Sequence, residues 1–337
     1  MKKNNLKPIN EPIFLSTTSA QSEPSQWGYS RVDNPTRLAL EGKLAEIEKG
    51  KFALAFSSGS SAIACLFALF KGGDHILCHR EIYEGTHRLL EKIFKRFKIK
   101  FDLVDFNDPG EVKKSIRTNT KLIFFENITN PNLEKINIKK IRRSVPKKII
   151  VAIDSTVCTP VFENPLELGA DIVVHSLTKF ISGHHDVLAG AVMTNKIDLF
   201  NQLKFIQQTM GLVLDPFSCY LISRGLKTLD LRMEKHTANA KKVAEFLEKE
   251  REVEKVIFPG VSGVVSFQLD RKIDPIGFLK KLKFIKIAQS FGGAESTILH
   301  PVSMMKLAIP VNINLFRLSV GFENVEDIIN DLTRALK

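Results

Sequence analysis

The stretch VVHSLTKFISGHHD, residues 173–186, carries a lysine just past an apolar run that is typical of a buried strand. Ser176 and Thr178 flank Lys179, and the sequence HHD follows it at 184–186. A lysine between two hydroxyls is an unusual end for a buried strand. Its chemistry depends on which polar groups the rest of the chain brings to the same place.

Short apolar runs alternate with longer segments of helical periodicity over much of the chain. Strands separated by helices need crossover connections, and runs without polar alternation indicate strands that are covered on both faces. The sequence therefore predicts an α/β fold with a mostly parallel sheet of seven strands. The runs lie at 53–56, 75–78, 101–105, 121–125, 149–153, 171–175 and 189–193.

Three segments of different character predict the domain organisation. Residues 1–35 are polar and rich in proline, which indicates an extended arm. Residues 36–225 hold the predicted sheet, and their first helix is expected to begin with a cap at Thr36 and to end at Gly50. Residues 226–337 begin with a long helical pattern and continue with paired strands, which predicts a C-terminal α+β domain.

Length and composition indicate a globular protein with more than one domain. The chain has 337 residues, 44% of them hydrophobic, and no apolar run reaches the roughly 18 to 20 residues of a membrane span. The N-terminus lacks the apolar segment of a signal peptide, so we expect a cytoplasmic protein. The scattered cysteines show no metal-binding spacing, so we expect buried, reduced thiols and no metal site; they are Cys65, Cys78, Cys158 and Cys219.

The formal net charge of +12 allows two interpretations. Basic residues cluster at 92–100 and 139–148, which suits nucleic-acid binding. Solvated helix faces explain the same clusters more simply, so we expect no nucleic-acid partner. A positive balance also suits small anionic ligands.

Polar residues follow several of the predicted strands at the edge where open α/β sheets bind ligands. The run 53–56 is followed by Ser58, Gly59 and Ser60 and then by an apolar helix, which predicts a phosphate cradle of backbone amides. Asp154 follows the run 149–153. Taken singly, each of these residues is explained as a helix cap or a strand terminus.

One cofactor uses this combination of groups. Pyridoxal phosphate carries a phosphate, a ring nitrogen that needs a carboxylate partner, and an aldehyde that a lysine amine can bind covalently. Lys179 is then the lysine that binds the aldehyde, and Ser176 and Thr178 are placed to bond the phosphate. The sequence therefore predicts a pyridoxal-phosphate site at this edge of the sheet.

Longer motifs agree with this cofactor. The sequence resembles the Cys/Met-metabolism family of pyridoxal-phosphate enzymes, which includes cystathionine γ-synthase, cystathionine γ-lyase, methionine γ-lyase and the O-acylhomoserine sulfhydrylases. The resemblance implies the aspartate-aminotransferase fold (fold type I) and a homodimer with shared active sites, usually assembled into a homotetramer. It rests on YSRVDNPT (29–36), AIDSTVCTPVFENPLELGADIVVHS (152–176), HSLTKFISGHHDVLAGAV (175–192), RGLKTLDLRME (224–234) and FRLSVGFEN (316–324).

The resemblance also implies which residues bind the cofactor. Tyr29 and Arg31 would reach the phosphate of the neighbouring subunit's cofactor. Asn130 would bond the ring hydroxyl, and Asp154 the ring nitrogen. The remaining cofactor-binding residues would be Gly59 and Ser60 through their amides, Ser176 and Thr178 through their hydroxyls, Lys179 through its amine, and Tyr83 by stacking on the ring.

Catalytic and substrate-binding roles follow from the same resemblance. Lys179 would act as the base, and Tyr83 would handle a second proton. Arg317 would bind the substrate α-carboxylate, since an arginine fork matches a carboxylate, with Ser290 beside it. Arg88 matches an arginine that lies near the substrate in cystathionine enzymes.

The expected reaction is γ-elimination or γ-replacement on sulfur amino acids, with cystathionine γ-lyase or γ-synthase favoured. Gly85 stands where methionine γ-lyases typically carry cysteine, although that activity and O-acylhomoserine sulfhydrylation stay open. Glu84 replaces the glycine that usually follows the tyrosine, and Gln289 replaces the glutamate of many cystathionine enzymes. A non-catalytic, basic binding protein of the same fold is a more remote alternative.

Overall fold

The computed structural model of the protein describes residues 8–20, 26–305 and 312–337. The strands are β1 (Phe52–Phe56), β2 (His75–His79), β3 (Lys100–Val104), β4 (Thr120–Glu126), β5 (Ile150–Asp154), β6 (Ile172–Ser176), β7 (Gly190–Thr194), β8 (Val253–Ile257), β9 (Val264–Leu269), β10 (Lys286–Ile287), β11 (Thr297–Leu299) and β12 (Leu315–Ser319). The helices are α1 (Pro35–Ile47), α2 (Gly59–Phe67), α3 (Glu84–Lys92), α4 (Pro109–Ser115), α5 (Ile138–Ser144), α6 (Thr159–Phe162), α7 (Ile197–Met210), α8 (Pro216–Leu226), α9 (Leu229–Leu247), α10 (Pro275–Lys281), α11 (Pro301–Met304) and α12 (Val325–Leu336).

The first seven strands form one sheet in the order β1-β7-β6-β5-β4-β2-β3. Strands β3, β2, β4, β5 and β6 pair in parallel, and β7 runs antiparallel to both of its neighbours. Two separate clusters of buried apolar side chains cover the two faces of the sheet. The prediction of a mostly parallel seven-stranded sheet is therefore confirmed, and each predicted run matches a strand to within one residue at either end.

The C-terminal part contains a second sheet in the order β10-β11-β12-β9-β8. Its core forms where this sheet packs against α9, α10 and α12. Helix α9 joins the two parts, since Leu229 and Met233 pack in the core of the large sheet while Val243 and Leu247 pack in the C-terminal core. The domain boundary proposed near residue 226 thus falls directly before a helix that contacts both cores.

The prediction that Thr36 caps the first helix is wrong, because Asn34 takes that role. The Asn34 side chain accepts hydrogen bonds from the amides of Thr36 and Arg37. Pro35 occupies the first helical position, where a backbone N–H would have no partner within the helix, so its missing N–H costs nothing. The Thr36 hydroxyl instead accepts from the Phe14 amide at 2.9 Å. The helix ends at Ile47, three residues before the predicted stop at Gly50.

Arg37 fixes the end of the N-terminal arm to the body of the protein. Its buried guanidinium donates to the carbonyl oxygens of Ser30 at 2.9 Å and Val32 at 3.1 Å. Within the predicted arm, residues 10–16 contain no helix or strand, Gln26–Gly28 form a short 3₁₀ helix, and Pro35 already belongs to α1. Residues 1–7 and 21–25, which the same prediction covers, lie outside the described residues.

Two expectations from composition can be compared with the structure. All four cysteines are buried and unpaired, so the prediction of buried thiols is confirmed. Among the described residues, no helix has the length and apolar character needed to cross a membrane.

Candidate active site

The site is built where β5 and β6 end beside the start of α2. Asp154 is the last residue of β5 and Ser176 the last residue of β6. Gly59 opens α2 so close to β6 that a Cβ atom on it would lie 3.0 Å from the Ser176 Cβ. Parallel strands thus bring the carboxylate, the hydroxyls and the helix terminus to one edge, as the sequence predicts.

The N-terminus of α2 has the features of a phosphate cradle. Ser58 caps the helix by accepting from the Ser61 amide, and the Ser61 hydroxyl accepts from the Ser58 amide at 2.9 Å. The amides of Gly59 and Ser60 precede the helix's own hydrogen-bond ladder and sit at the positive end of its dipole. They are therefore free to bind an anion placed next to Ser176.

Thr156 links the carboxylate to the phosphate cradle. Its hydroxyl donates to Asp154 Oδ1 and accepts from the Ser176 amide at 2.8 Å. Burial raises the pKa of Asp154, although the Thr156 hydrogen bonds and the charges of His175 and Lys179 act in the opposite direction. A buried carboxyl of this kind gains most from a cationic partner, which the protonated ring nitrogen of pyridoxal phosphate supplies.

Lys179 reaches across the cleft to the C-terminal part. Its Nζ donates to Ser290 Oγ at 2.6 Å and lies 5.0 Å from the centre of the Phe291 ring. Burial and the nearby charge of Arg317 lower the pKa of Lys179 to about 8. Much of the amine is therefore neutral slightly above neutral pH, as binding to an aldehyde requires.

This pKa gives a testable pH dependence. In cofactor-free protein, the rate of covalent loading with pyridoxal phosphate is expected to rise with pH, with a midpoint at about 8, and then to level off. In Arg317→Gln the midpoint should move to higher pH, because a cation that lowers the lysine pKa is removed. Stopped-flow absorbance measures the pH dependence of loading in the parent and in the variant. Coincident midpoints would contradict the claim that Arg317 lowers the pKa of Lys179.

Arg317 is buried and joins both halves of the site. Its Nη1 donates to Asn130 Oδ1 at 2.8 Å and its Nη2 to the Ser290 carbonyl at 2.7 Å. Its Nε is buried and has no hydrogen-bond partner among the described residues. Burial lowers the pKa of Arg317 to about 10, so the group stays charged at neutral pH. A buried cation with an unused donor fits the carboxylate of an amino acid.

Ser290 holds the two cations in place through a left-handed backbone. With φ of 80°, a region that non-glycine residues rarely adopt, its hydroxyl accepts from Lys179 and its carbonyl from Arg317. Such conformations persist where the surrounding structure enforces them, and they concentrate at functional sites.

Tyr83 lies at the start of α3, with 40% of its surface exposed. Its amide donates to the carboxylate of Glu126, the buried residue that ends β4. A Cβ atom on Gly85 would lie 2.3 Å from the Tyr83 ring, so this ring position requires glycine there. The absence of a side chain at Gly85 therefore leaves room for this position of the Tyr83 ring.

The remaining predicted residues are placed as follows. Thr178 exchanges hydrogen bonds with the main chain of Ala189, at 3.0 and 3.2 Å. Arg31 stacks on Tyr29 and donates to the Gln208 carbonyl at 2.6 Å. Arg88 is exposed on α3. The binding roles of these residues, and the bond from Asn130 to the ring hydroxyl, stay predictions.

Three residues of the site were not assigned a role from the sequence. Thr156 was detectable in principle, because Asp-Ser-Thr at the end of a strand is a local hydrogen-bonding motif. Glu126 directly follows the run 121–125 and so stands at a predicted strand end, as Asp154 does, but the sequence gave it no specific role, and Phe291 gave no local signal. Their roles depend on contacts with Tyr83, Lys179 and Arg317 that form only when distant segments fold together.

A second cluster at the same edge is explained without a metal ion. His79, Glu81 and Glu134 have potential ligand atoms within 4.8 Å of one another. The Phe106 amide donates to His79 Nδ1 at 3.0 Å, so the neutral ring carries its proton on Nε2. A metal-binding histidine has the opposite arrangement, with one nitrogen free for the metal and the other donating its proton.

Comparisons with known proteins agree with this geometry. The sequence profile of the family described as Cys/Met metabolism PLP-dependent enzyme matches residues 1–337. A cystathionine gamma-synthase/O-acetylhomoserine (thiol)-lyase of Bacillus subtilis is 41% identical over 340 residues, covering 97% of this chain and 91% of the relative. A cystathionine beta-lyase of Lactococcus lactis subsp. cremoris is 39% identical over 357 residues, covering 98% of this chain and 94% of the relative.

A solved structure shows the same fold. The crystal structure of cystathionine gamma-lyase from Lactobacillus plantarum complexed with L-serine superposes with a TM-score of 0.94 at 36% identity, covering 96% of this chain and 92% of that one. The fold is therefore fold type I, and the cofactor is pyridoxal phosphate, which the residues described above fit. The protein is a pyridoxal-phosphate-dependent carbon–sulfur lyase or transferase. The chain belongs to the Cys/Met metabolism family of PLP-dependent enzymes.

Proposed function

We propose that the enzyme cleaves or replaces the γ-substituent of a sulfur amino acid, with cystathionine γ-lyase or γ-synthase activity favoured. The contact of Lys179 and Arg317 with the same residue, Ser290, carries this proposal. It places a base of lowered pKa beside a cation suited to a carboxylate, and α-amino acid chemistry needs both groups.

The cofactor would be held by groups from both subunits. The amides of Gly59 and Ser60 and the hydroxyls of Ser176 and Thr178 bind its phosphate, and Tyr83 stacks on its ring. Asp154 keeps the ring nitrogen protonated. When bound, the cofactor supplies a cationic ring that withdraws electrons from the substrate α-carbon.

Proton transfer falls to two residues of this chain. Arg317 binds the α-carboxylate and so holds the α-hydrogen toward Lys179, which the partly buried contact with Ser290 already directs into the cleft. Lys179 Nζ would remove the α-proton, pass it to the electron-accepting cofactor and, neutral again, remove a β-proton. The Tyr83 hydroxyl delivers a proton to the departing γ-group. Arg88, on α3, is assigned to substrate binding.

Alternatives are separated by a panel of substrates. The purified enzyme would be incubated with cystathionine, with methionine, and with O-acetylhomoserine plus sulfide or cysteine. We expect 2-oxobutanoate and cysteine from cystathionine. Pyruvate and homocysteine would show β-cleavage instead, methanethiol from methionine would show methionine γ-lyase activity, and homocysteine from O-acetylhomoserine and sulfide would show sulfhydrylase activity.

The panel also tests the remote alternative of a non-catalytic binding protein. Protein that stays colourless with excess pyridoxal phosphate and turns over none of these substrates would support it. The combination of Lys179, Asp154 and Arg317 argues against it, because binding alone does not need a base of lowered pKa. The buried cysteines support a cytoplasmic location, since reduced thiols persist there.

We further propose a homodimer with shared sites, assembled into a homotetramer. Arg37 fixes the chain that carries Tyr29 and Arg31, so the two side chains are presented together. In Arg31→Ala the dissociation constant for pyridoxal phosphate is expected to rise roughly tenfold or more, because a charged phosphate contact is lost. Fluorescence titration measures it, and a titration like that of the parent would refute the shared site.

A further inference from the structure

The segment RGLKTLDLRME, residues 224–234, forms the end of α8 and the start of α9. It is long and specific, but none of the site residues described above belongs to it. One of its side chains, that of Arg232, is buried and reaches from α9 to the turn that directly follows Lys179. This contact connects the segment to the reactive amine.

Arg232 donates hydrogen bonds to two main-chain carbonyls of that turn. Its Nη1 donates to the Phe180 carbonyl at 2.6 Å and its Nη2 to the Ile181 carbonyl at 3.2 Å. In the described part of the chain, no other group donates to these two carbonyls. The guanidinium therefore supplies the hydrogen bonds that the turn next to Lys179 does not make within itself.

The guanidinium is itself held in a fixed orientation. Its Nε donates to the Thr228 hydroxyl at 3.2 Å, and its Nη2 also donates to the Gly225 carbonyl at 2.9 Å. A guanidinium is planar and its N–H groups point in fixed directions, so bonds from all three nitrogens leave it little freedom to rotate. The turn after Lys179 is thereby fixed relative to the end of α8 and the start of α9.

The charge of Arg232 has no acidic partner in the described part of the chain. Burial lowers its pKa to about 10, so the group stays charged at neutral pH, and no carboxylate there forms an ion pair with it. Buried charges are usually paired with an opposite charge, because burial of an unpaired one is costly. Here the charge-assisted hydrogen bonds go to carbonyl oxygens instead, which makes them strong bonds to the main chain.

Close packing holds the same turn in place. Gly183 has a φ of 76°, and a Cβ atom on it would overlap Arg232 Nη1, so glycine there leaves room for the guanidinium. In the C-terminal part, a Cβ atom on Gly292 would lie 2.6 Å from the Phe180 nitrogen. The turn is therefore contacted both by α9 and by the segment that contains Ser290.

We propose that Arg232 is a positioning residue for Lys179, because it fixes the turn from which the amine reaches the aldehyde of the cofactor and the α-hydrogen of the substrate. Arg232 touches neither molecule and acts only through Lys179. A displacement of about 1 Å at a reacting atom can cost about 100-fold in rate. The inference rests on the proposed role of Lys179 and is independent of which sulfur amino acid is the substrate.

The first measurement is the rate at which cofactor-free protein is covalently loaded with pyridoxal phosphate, followed by stopped-flow absorbance over a range of pH. In Arg232→Met the plateau rate is expected to fall roughly ten- to hundredfold. Arg232→Lys, which keeps a charged donor, should recover part of the rate. The midpoint should stay at the parent's pH, because the charges that shift the pKa of Lys179 belong to Arg317 and Asp154.

The second measurement separates kcat from KM in the holoenzyme, with the substrate that the panel identifies. In Arg232→Met we expect kcat to fall by a factor similar to that of the loading rate and KM to stay within roughly threefold, since Arg317 keeps its partners. Gly183→Ala should give the same pattern, because its methyl group displaces the guanidinium. It carries the test if the Arg232 variants do not fold.

The matched control is Asn239→Ala. Asn239 is also buried on α9 and donates to main-chain carbonyls, those of Gly321 and Glu323, at 3.0 and 2.9 Å. Its loss should lower the unfolding temperature and leave the loading rate and kcat at the parent's values.

The other outcomes would overturn the proposal. A folded Arg232→Met with the parent's plateau rate and kcat would show that Arg232 only stabilises the fold. A shifted midpoint at an unchanged plateau would show that it acts through its charge and not by positioning. Failure of the parent itself to load covalently would refute the role of Lys179 and this proposal with it, whereas a parent that loads but cleaves none of the panel would refute only the proposed function.

Discussion

Lys179→Ala is expected to reduce turnover of every substrate by about 10⁴-fold or more and to abolish the visible absorption band of the bound cofactor. The variant loses the amine that binds the aldehyde and the base that moves the α-proton, and general-base catalysis alone contributes up to about 10⁴-fold. Asp154 and the phosphate cradle at the start of α2 are retained, so the variant should still bind pyridoxal phosphate weakly and reversibly.

The matched control is Lys241→Ala, which removes an exposed lysine of α9 paired only with Glu245 at 3.9 Å. Its absorbance and activity should equal those of the parent. Thermal unfolding of both variants near the parent's temperature would show that the loss in Lys179→Ala is chemical. Retention of the absorption band in a folded Lys179→Ala would contradict the role given to this lysine.

Arg317→Lys is expected to raise KM for the amino-acid substrate on the order of 100-fold. Lysine keeps the positive charge but cannot reproduce a guanidinium that bonds Asn130 and Ser290 and still offers a third donor to a carboxylate. The removed donors also leave the half-buried Asn130 oxygen unpaired, which adds to the cost.

The cofactor spectrum provides the control for this variant. Arg317 is assigned to substrate and not to the phosphate, so the absorption band and its titration with pyridoxal phosphate should match those of the parent. Steady-state kinetics with cystathionine measures KM. An unchanged KM, or a loss of cofactor in place of a loss of substrate binding, would show that the carboxylate binds elsewhere.

The fold could be predicted from the sequence because its strands are short apolar runs without alternation. Each of β1–β7 except the edge strand β3 is buried along nearly all of its length, so burial on both faces is visible in the local composition. Because β5 and β6 pair in parallel, Asp154 and Ser176 lie at the same edge of the sheet. The residues at the predicted strand ends therefore indicate where the cofactor site lies.

Other features depend on contacts that no local pattern reports. Lys179 and Ser290 meet across 111 positions of the chain, and Arg317 meets Asn130 across 187. Of these residues, only Ser290 and Arg317 are predicted to belong to the site solely by the family resemblance. The capping of α1 by Asn34 instead of Thr36 was a local error, since proline at the first helical position moves the cap one residue before itself.

The central claim is that Lys179 binds pyridoxal phosphate covalently. Its most direct test is borohydride reduction of the holoenzyme, followed by proteolysis and mass spectrometry of the labelled peptide. We predict one labelled lysine, in the peptide that contains SLTKF, and no label after the same treatment of Lys179→Ala. A label on another lysine, or an unlabelled SLTKF peptide from yellow, active enzyme, would contradict the account.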